Sequence, residues 1–133
     1  MLYNVDNKNG GLVMSNTQRA YDLIQKYGFE FSNISKQEIR DLLKRELNTY
    51  ISGSSEYLRV LCGYLFCIGD ESDAELIEKV KYGISMDVGC MIDSEWIDSL
   101  KTNGKASRYV ASRDELIESF IEYYKNFKPY DEE

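Results

Sequence analysis

Apolar residues recur at three- and four-residue steps along most of the chain. Over 36–51, Ile39, Leu42, Leu43, Leu47, Tyr50 and Ile51 share one stripe before Gly53, the period of a helix with one face against a core. Upstream, Tyr21, Leu23, Ile24 and Tyr27 mark a helix of about three turns that stops at Gly28. Tyr57, Leu58, Leu61, Cys62, Leu65 and Phe66 predict a helix that is apolar nearly all round and ends at Gly69-Asp70. Such a helix belongs in the middle of the packing. Leu76, Ile77 and Val80 lead to Gly83, and Trp96, Ile97 and Leu100 lead to Asn103-Gly104. A last stripe holds Leu116, Ile117, Phe120, Ile121, Tyr124 and Phe127. Between the fourth and fifth helices, Ile84 to Cys90 reads as a loop.

Helix starts are written in serine. Ser35-Lys-Gln-Glu38, Ser72-Asp-Ala-Glu75 and Ser112-Arg-Asp-Glu115 each fit a capping box, in which the serine oxygen accepts from an early backbone N–H and the glutamate reaches back. The single proline, Pro129, is too late to break any of the six helices. Leu12–Met14 and Arg108–Ala111 are short extended candidates, as strands or as connections. The expected architecture is therefore all-α: one domain over 1–133, of about six antiparallel helices with loosely held ends at 1–14 and 129–133. The three central helices could be consecutive elements of a HEAT-like hairpin stack, although no clean internal repeat marks one. Its core is expected to contain Leu42, Leu43, Leu58, Leu61, Leu65, Ile77, Trp96, Ile97, Ile117 and Phe120.

Composition narrows the chemistry. The 133 residues contain no histidine, which removes Ser-His-Asp hydrolysis, Cys-His proteolysis and His-ligated metals. Cys62, Cys67 and Cys90 are too few to hold a metal without further ligands, and Cys62 and Cys67 lie on different faces of one helix, so they read as free thiols in the packing. Asp70, Asp73, Asp87 and Asp93 are oxygen ligands of the kind magnesium takes, but Gly69–Asp73 lacks the spacing and terminal glutamate of a calcium loop. No phosphate-binding glycine motif follows Gly10-Gly11. The expectation is no catalysis, no cofactor and no metal. With no signal-peptide core or spanning segment, the chain reads as cytoplasmic.

Charge is unevenly placed. The net charge is −7, a poor match to a phosphate backbone, so direct nucleic-acid binding is not expected. Between residues 70 and 98 stand nine acids, namely Asp70, Glu71, Asp73, Glu75, Glu78, Asp87, Asp93, Glu95 and Asp98, against Lys79 and Lys81. Asp and Glu also favour first helical turns, so part of this is structural. The remainder predicts a negative surface that steers and holds a basic protein partner. Asp70, Glu71, Asp73, Asp87, Asp93, Glu95 and Asp98 are the candidate contact charges. Of the eleven tyrosines, Tyr64 and Tyr82 belong to this unit and are the candidate apolar contacts.

The run Tyr57-Leu-Arg-Val-Leu-Cys-Gly-Tyr-Leu-Phe-Cys-Ile-Gly-Asp-Glu-Ser-Asp-Ala-Glu-Leu-Ile-Glu-Lys-Val-Lys81, with Asp87-Val-Gly-Cys90 and Ile92-Asp93 after it, resembles small helical immunity proteins of bacterial polymorphic-toxin and contact-dependent growth-inhibition systems. In those, an apolar helix, a Gly–acidic turn, a Leu-Ile helix and a later Asp pair follow in this order. The resemblance spans about forty residues, and Glu78-Lys79-Val80-Lys81 departs from it where an aromatic–Ala–Lys pattern stands in the family. It implies a non-catalytic inhibitor of a cognate toxin domain, in many such systems a nuclease with a basic groove. The other reading the residues support is a helical adaptor or regulatory module, including a phage-encoded inhibitor or DNA mimic.

Overall fold

The computed structural model describes residues 16–50, 53, 55–105 and 111–128. All regular structure among them is helical. The helices are α1 (Asn16–Tyr27), α2 (Lys36–Asn48), α3 (Ser55–Ile68), α4 (Ala74–Gly83), α5 (Met86–Met91), α6 (Ser94–Lys101) and α7 (Arg113–Tyr124), with single 3₁₀ turns at Phe31–Asn33 and Glu71–Asp73. The all-α expectation holds. Of the extended candidates, Leu12–Met14 and all of Arg108–Ala111 except Ala111 lie outside the described residues, as do both chain ends; Ala111 is in no regular structure.

Local signals account for most boundaries. Gly28 closes α1 with φ at +62°, a conformation that costs glycine little. At α2 the Ser35 hydroxyl oxygen accepts from the Glu38 amide, while the Glu38 carboxylate accepts from the Tyr27 hydroxyl at 2.8 Å rather than reaching back to Ser35. At α7 both halves of the Ser112–Glu115 box form.

Two expectations need correcting. The start before α4 is capped by Asp70, not Ser72: the Asp70 carboxylate accepts from the Ser72 amide at 2.9 Å, and Asp73 accepts from the Asp70 amide at 2.9 Å. The Ser72 hydroxyl is turned back to the Asp70 carboxylate instead of forward to the α4 amides. The segment expected as a loop contains α5, begun by Ser85, whose oxygen accepts from the Val88 amide. One buried residue, Val88, gives no periodicity to read in six residues. Instead α5 is held from outside, by the Lys81 ammonium donating to the carbonyls of Gly89 and Ile92.

The apolar-all-round α3 is the hub, with Leu58, Leu61, Cys62, Tyr64, Leu65 and Phe66 all fully buried. Burying each such leucine contributes about 1.5–3 kcal/mol. Phe120 of α7 packs among Phe29, Tyr64, Trp96 and Tyr124, with ring centroids 5.1–6.3 Å away. It lies directly on the α3 backbone at Gly63, where a Cβ would come within 2.1 Å of a Phe120 ring carbon. The chain ends of α3 and α7 are joined by Arg113, which donates to the carbonyls of Phe66, Cys67 and Gly69 at 2.9–3.0 Å. These carbonyls close a helix and have no partner within it. Of the expected core, Leu42 and Ile117 are half-buried at its margin, and the other eight are buried.

Candidate functional site

The acidic turn 70–73 is a structural joint. The Asp73 side chain is 2% exposed, and its carboxylate accepts from the Arg40 Nε at 2.6 Å, with the Lys36 ammonium 3.8 Å away. Asp70 also takes a bond from Lys36 at 3.3 Å. The Ser72 hydroxyl and amide, then the Lys36 ammonium, hold the Asp70 carboxyl down at about 2, so it stays charged at physiological pH. Counting charges along the chain misses this neutralisation, since α2 supplies the cations from more than thirty residues away. Asp73 is thus withdrawn from the surface and cannot serve as a contact charge. Asp70 is exposed but already paired.

The other acids divide in the same way. Glu75 pairs with Lys79 at 3.5 Å and Glu78 with Lys101 at 2.8 Å, exposed links worth at most about 1 kcal/mol each. Asp93 caps α6 by accepting from the Glu95 amide, and Glu95 accepts from the Ala111 amide at 3.4 Å. Both are half-buried. Three remain: Glu71, Asp87 and Asp98 are exposed, and among the described residues none has a side-chain hydrogen bond or a cation within ion-pair distance. Meanwhile Lys79 and Lys101 are paired and Lys81 is spent on carbonyls. The unit keeps its negative sign, through fewer side chains than expected.

Tyr64 is not at the surface. It is fully buried and its hydroxyl donates to the Gly28 carbonyl at 2.9 Å, because α3 has no solvent face at that position. Tyr82 is 71% exposed, as a contact residue must be.

Met86, which sequence reasoning passed over, and Tyr123, one of the helical tyrosines but not among the candidate contacts, stand out beside it. Met86 is 84% and Tyr123 55% exposed, and with Tyr82 they are the large apolar side chains exposed among the described residues. All three line two adjoining depressions. One, of about 490 Å³, lies between Tyr82, Ile84, Met86 and Cys90; the other, of about 450 Å³, lies between Arg59, Met91, Asp93 and Tyr123. Lys81 and Cys90 border both. The Arg59 guanidinium stacks 4.5 Å from the Tyr123 ring and donates to the Tyr124 hydroxyl at 2.7 Å, which in turn donates to Glu56. The exposed position of Met86 on a helix too short to predict explains why no sequence signal pointed here.

Reactive groups are largely out of reach. Cys62 and Cys67 are buried, and burial pushes the Cys67 thiol up to about 12 and the Cys62 thiol higher still. Both stay protonated and unreactive. Cys90 corrects the expectation of packed thiols, being exposed. Burial likewise raises Tyr64 and Tyr124 well above the ordinary phenol range, so these hydroxyls act as neutral donors. Among the described residues no three Asp, Glu or Cys side chains converge as a metal site, and no helix is long and apolar enough to cross a membrane. Compared with known proteins, the chain matches no family model, no curated protein and no solved structure.

Proposed function

We propose that this chain is an immunity protein, a non-catalytic inhibitor that binds a cognate toxin domain in the cytoplasm through the surface of α4–α6. The observation that carries the reading is the set of exposed carboxylates, Glu71, Asp87 and Asp98, none of which has a side-chain hydrogen bond or ion pair among the described residues, while the lysines around them are engaged. A protein surface that retains unpaired charge of one sign gains most from a partner of the opposite sign, chiefly in association rate and in choice of partner. A toxin with a basic substrate groove is such a partner, whereas nucleic acid itself shares the negative sign and is repelled. The resemblance over residues 57–93 supports the same class.

Co-expression with the protein encoded by the adjacent gene tests the reading. Cells poisoned by that protein are expected to resume growth when this chain is made alongside it, and the two proteins to co-purify. Undiminished killing at equal expression, with no complex formed, would refute it.

A further inference from the structure

We infer that the depression walled by Arg59 of α3, Lys81 of α4 and Tyr123 of α7 is an anion site, which takes the phosphate monoester group of a small molecule with a planar apolar body. This goes beyond the immunity reading and does not depend on it. Both cations are half-buried, and among the described residues neither has a carboxylate within ion-pair distance. Asp93, which caps α6, is the one acid on the wall. Two cations against one acid make this lining positive, on a chain whose net charge is −7. Charge of one sign in a recess attracts the opposite sign, because low-dielectric walls focus its field.

Donors remain on both cations. A lysine ammonium carries three N–H donors and a guanidinium five. Lys81 places two of its own on the carbonyls of Gly89 and Ile92, at 2.5–2.6 Å, and Arg59 places one on the Tyr124 hydroxyl at 2.7 Å. Bonds to neutral oxygens orient these cations without cancelling their charge, and the Glu56 carboxylate is reached only through that hydroxyl. Arg59 is the one charged residue of α3 beyond its first turn. Its guanidinium lies 4.5–5.3 Å from the ring centroids of Tyr123, Trp96 and Tyr124. The rings and the phenol hold it in place, so an anion meets donors already ordered and less entropy is lost on binding.

Shape and chemistry choose the class of ligand. The recess holds about 450 Å³, the scale of small-molecule sites and roomier than inorganic phosphate requires. Met91 and the half-exposed Tyr123 ring form the rest of its wall, a face for a planar apolar body. A phosphate monoester brings up to two negative charges and three acceptor oxygens, which match a guanidinium fork beside an ammonium. A basic ligand would meet Arg59 and Lys81 instead.

The test uses the full chain carrying ¹³C-methyl methionine, because Met91 lines this recess and Met86 the neighbouring one. Phenyl phosphate is expected to shift the Met91 methyl resonance saturably and more than that of Met86. Inorganic phosphate should bind more weakly, and benzylammonium should leave both methyls in place. Arg59→Gln and Lys81→Gln should each weaken phenyl phosphate about tenfold or more, about 1.4 kcal/mol. Both side chains also bond within the fold, so Tyr123→Ser accompanies them: loss of this exposed ring should weaken phenyl phosphate and spare inorganic phosphate. A Met91 methyl that ignores phenyl phosphate, or answers benzylammonium equally, would overturn the site. So would undiminished phenyl phosphate affinity in a folded Arg59→Gln or Lys81→Gln protein. Should both of those variants unfold, the comparison of probes and Tyr123→Ser decide, and undiminished affinity for phenyl phosphate without the ring refutes the site.

Discussion

Replacing Phe120 by Ala is expected to destabilise the fold by about 3–5 kcal/mol. The ring is 2% exposed and is the meeting point of Phe29 before α2, Tyr64 of α3, Trp96 of α6 and Tyr124 of α7. Truncation removes its transfer free energy and leaves a cavity walled by rings that cannot close on it, because Gly63 offers no side chain to move in. Edge-on contacts between aromatic rings add about 0.5–1.5 kcal/mol per pair beyond burial. Urea denaturation followed by circular dichroism should show a much lower midpoint with little change in slope. A loss under about 1 kcal/mol would mean that α7 does not lean on α3 in this way; substitutions that small are typical of surface sites.

Asp73→Ala is expected to cost about 2–3 kcal/mol, and Ser72→Ala less than about 1 kcal/mol. Asp73 serves two partners, accepting from Arg40 at 2.6 Å and from the Asp70 amide at 2.9 Å, at 2% exposure. Its removal strands a backbone amide and breaks the link from α2 to the α3–α4 turn. The expected loss sits below the 3–5 kcal/mol of a fully buried pair because the Arg40 side chain, 27% exposed, can turn to water. Ser72 is exposed, and its hydroxyl adds only a further donor to Asp70. The same denaturation series checks both variants. The reverse ranking would restore Ser72 as the helix start that its capping-box spacing suggests.

The helical fold was legible because its signals are local. Stripes such as Ile39, Leu43 and Leu116, Phe120 follow from the period of one helix, and Ser35, Ser112 and Gly28 act within a few residues. What stayed hidden depends on neighbours distant in the chain. The Lys36 and Arg40 cations that neutralise the 70–73 turn lie on α2, and the Lys81 ammonium that holds α5 reaches across from α4. Tyr64 illustrates the same limit: helical spacing placed it on α3, but which side of α3 faces water is decided by Tyr27, Phe31 and Phe120 packing around it. Of the contact charges expected from the sequence, Glu71, Asp87 and Asp98 stand free at the surface, whereas Asp70, Asp73, Asp93 and Glu95 hold turns and caps. Met86 had no signal at all, since an exposed apolar residue breaks no pattern, and nothing local set Tyr123 apart from the other helical tyrosines.

The central claim is that the exposed carboxylates Glu71 in the turn before α4, Asp87 on α5 and Asp98 on α6 hold a basic partner. It is tested most directly by measuring the affinity of the chain for the protein encoded by the adjacent gene, across a range of salt concentrations, beside the variant Glu71→Gln/Asp87→Asn/Asp98→Asn. Among the described residues none of these three side chains makes a hydrogen bond or ion pair, so the circular-dichroism spectrum and urea midpoint should be unchanged. The native complex is expected to weaken with salt mainly through slower association, since charges interact over about 8–10 Å at physiological ionic strength. The variant should bind at least about tenfold more weakly, about 1.4 kcal/mol, with a shallower dependence on salt. A variant that is fully folded and binds with the same affinity and the same salt dependence would contradict the claim.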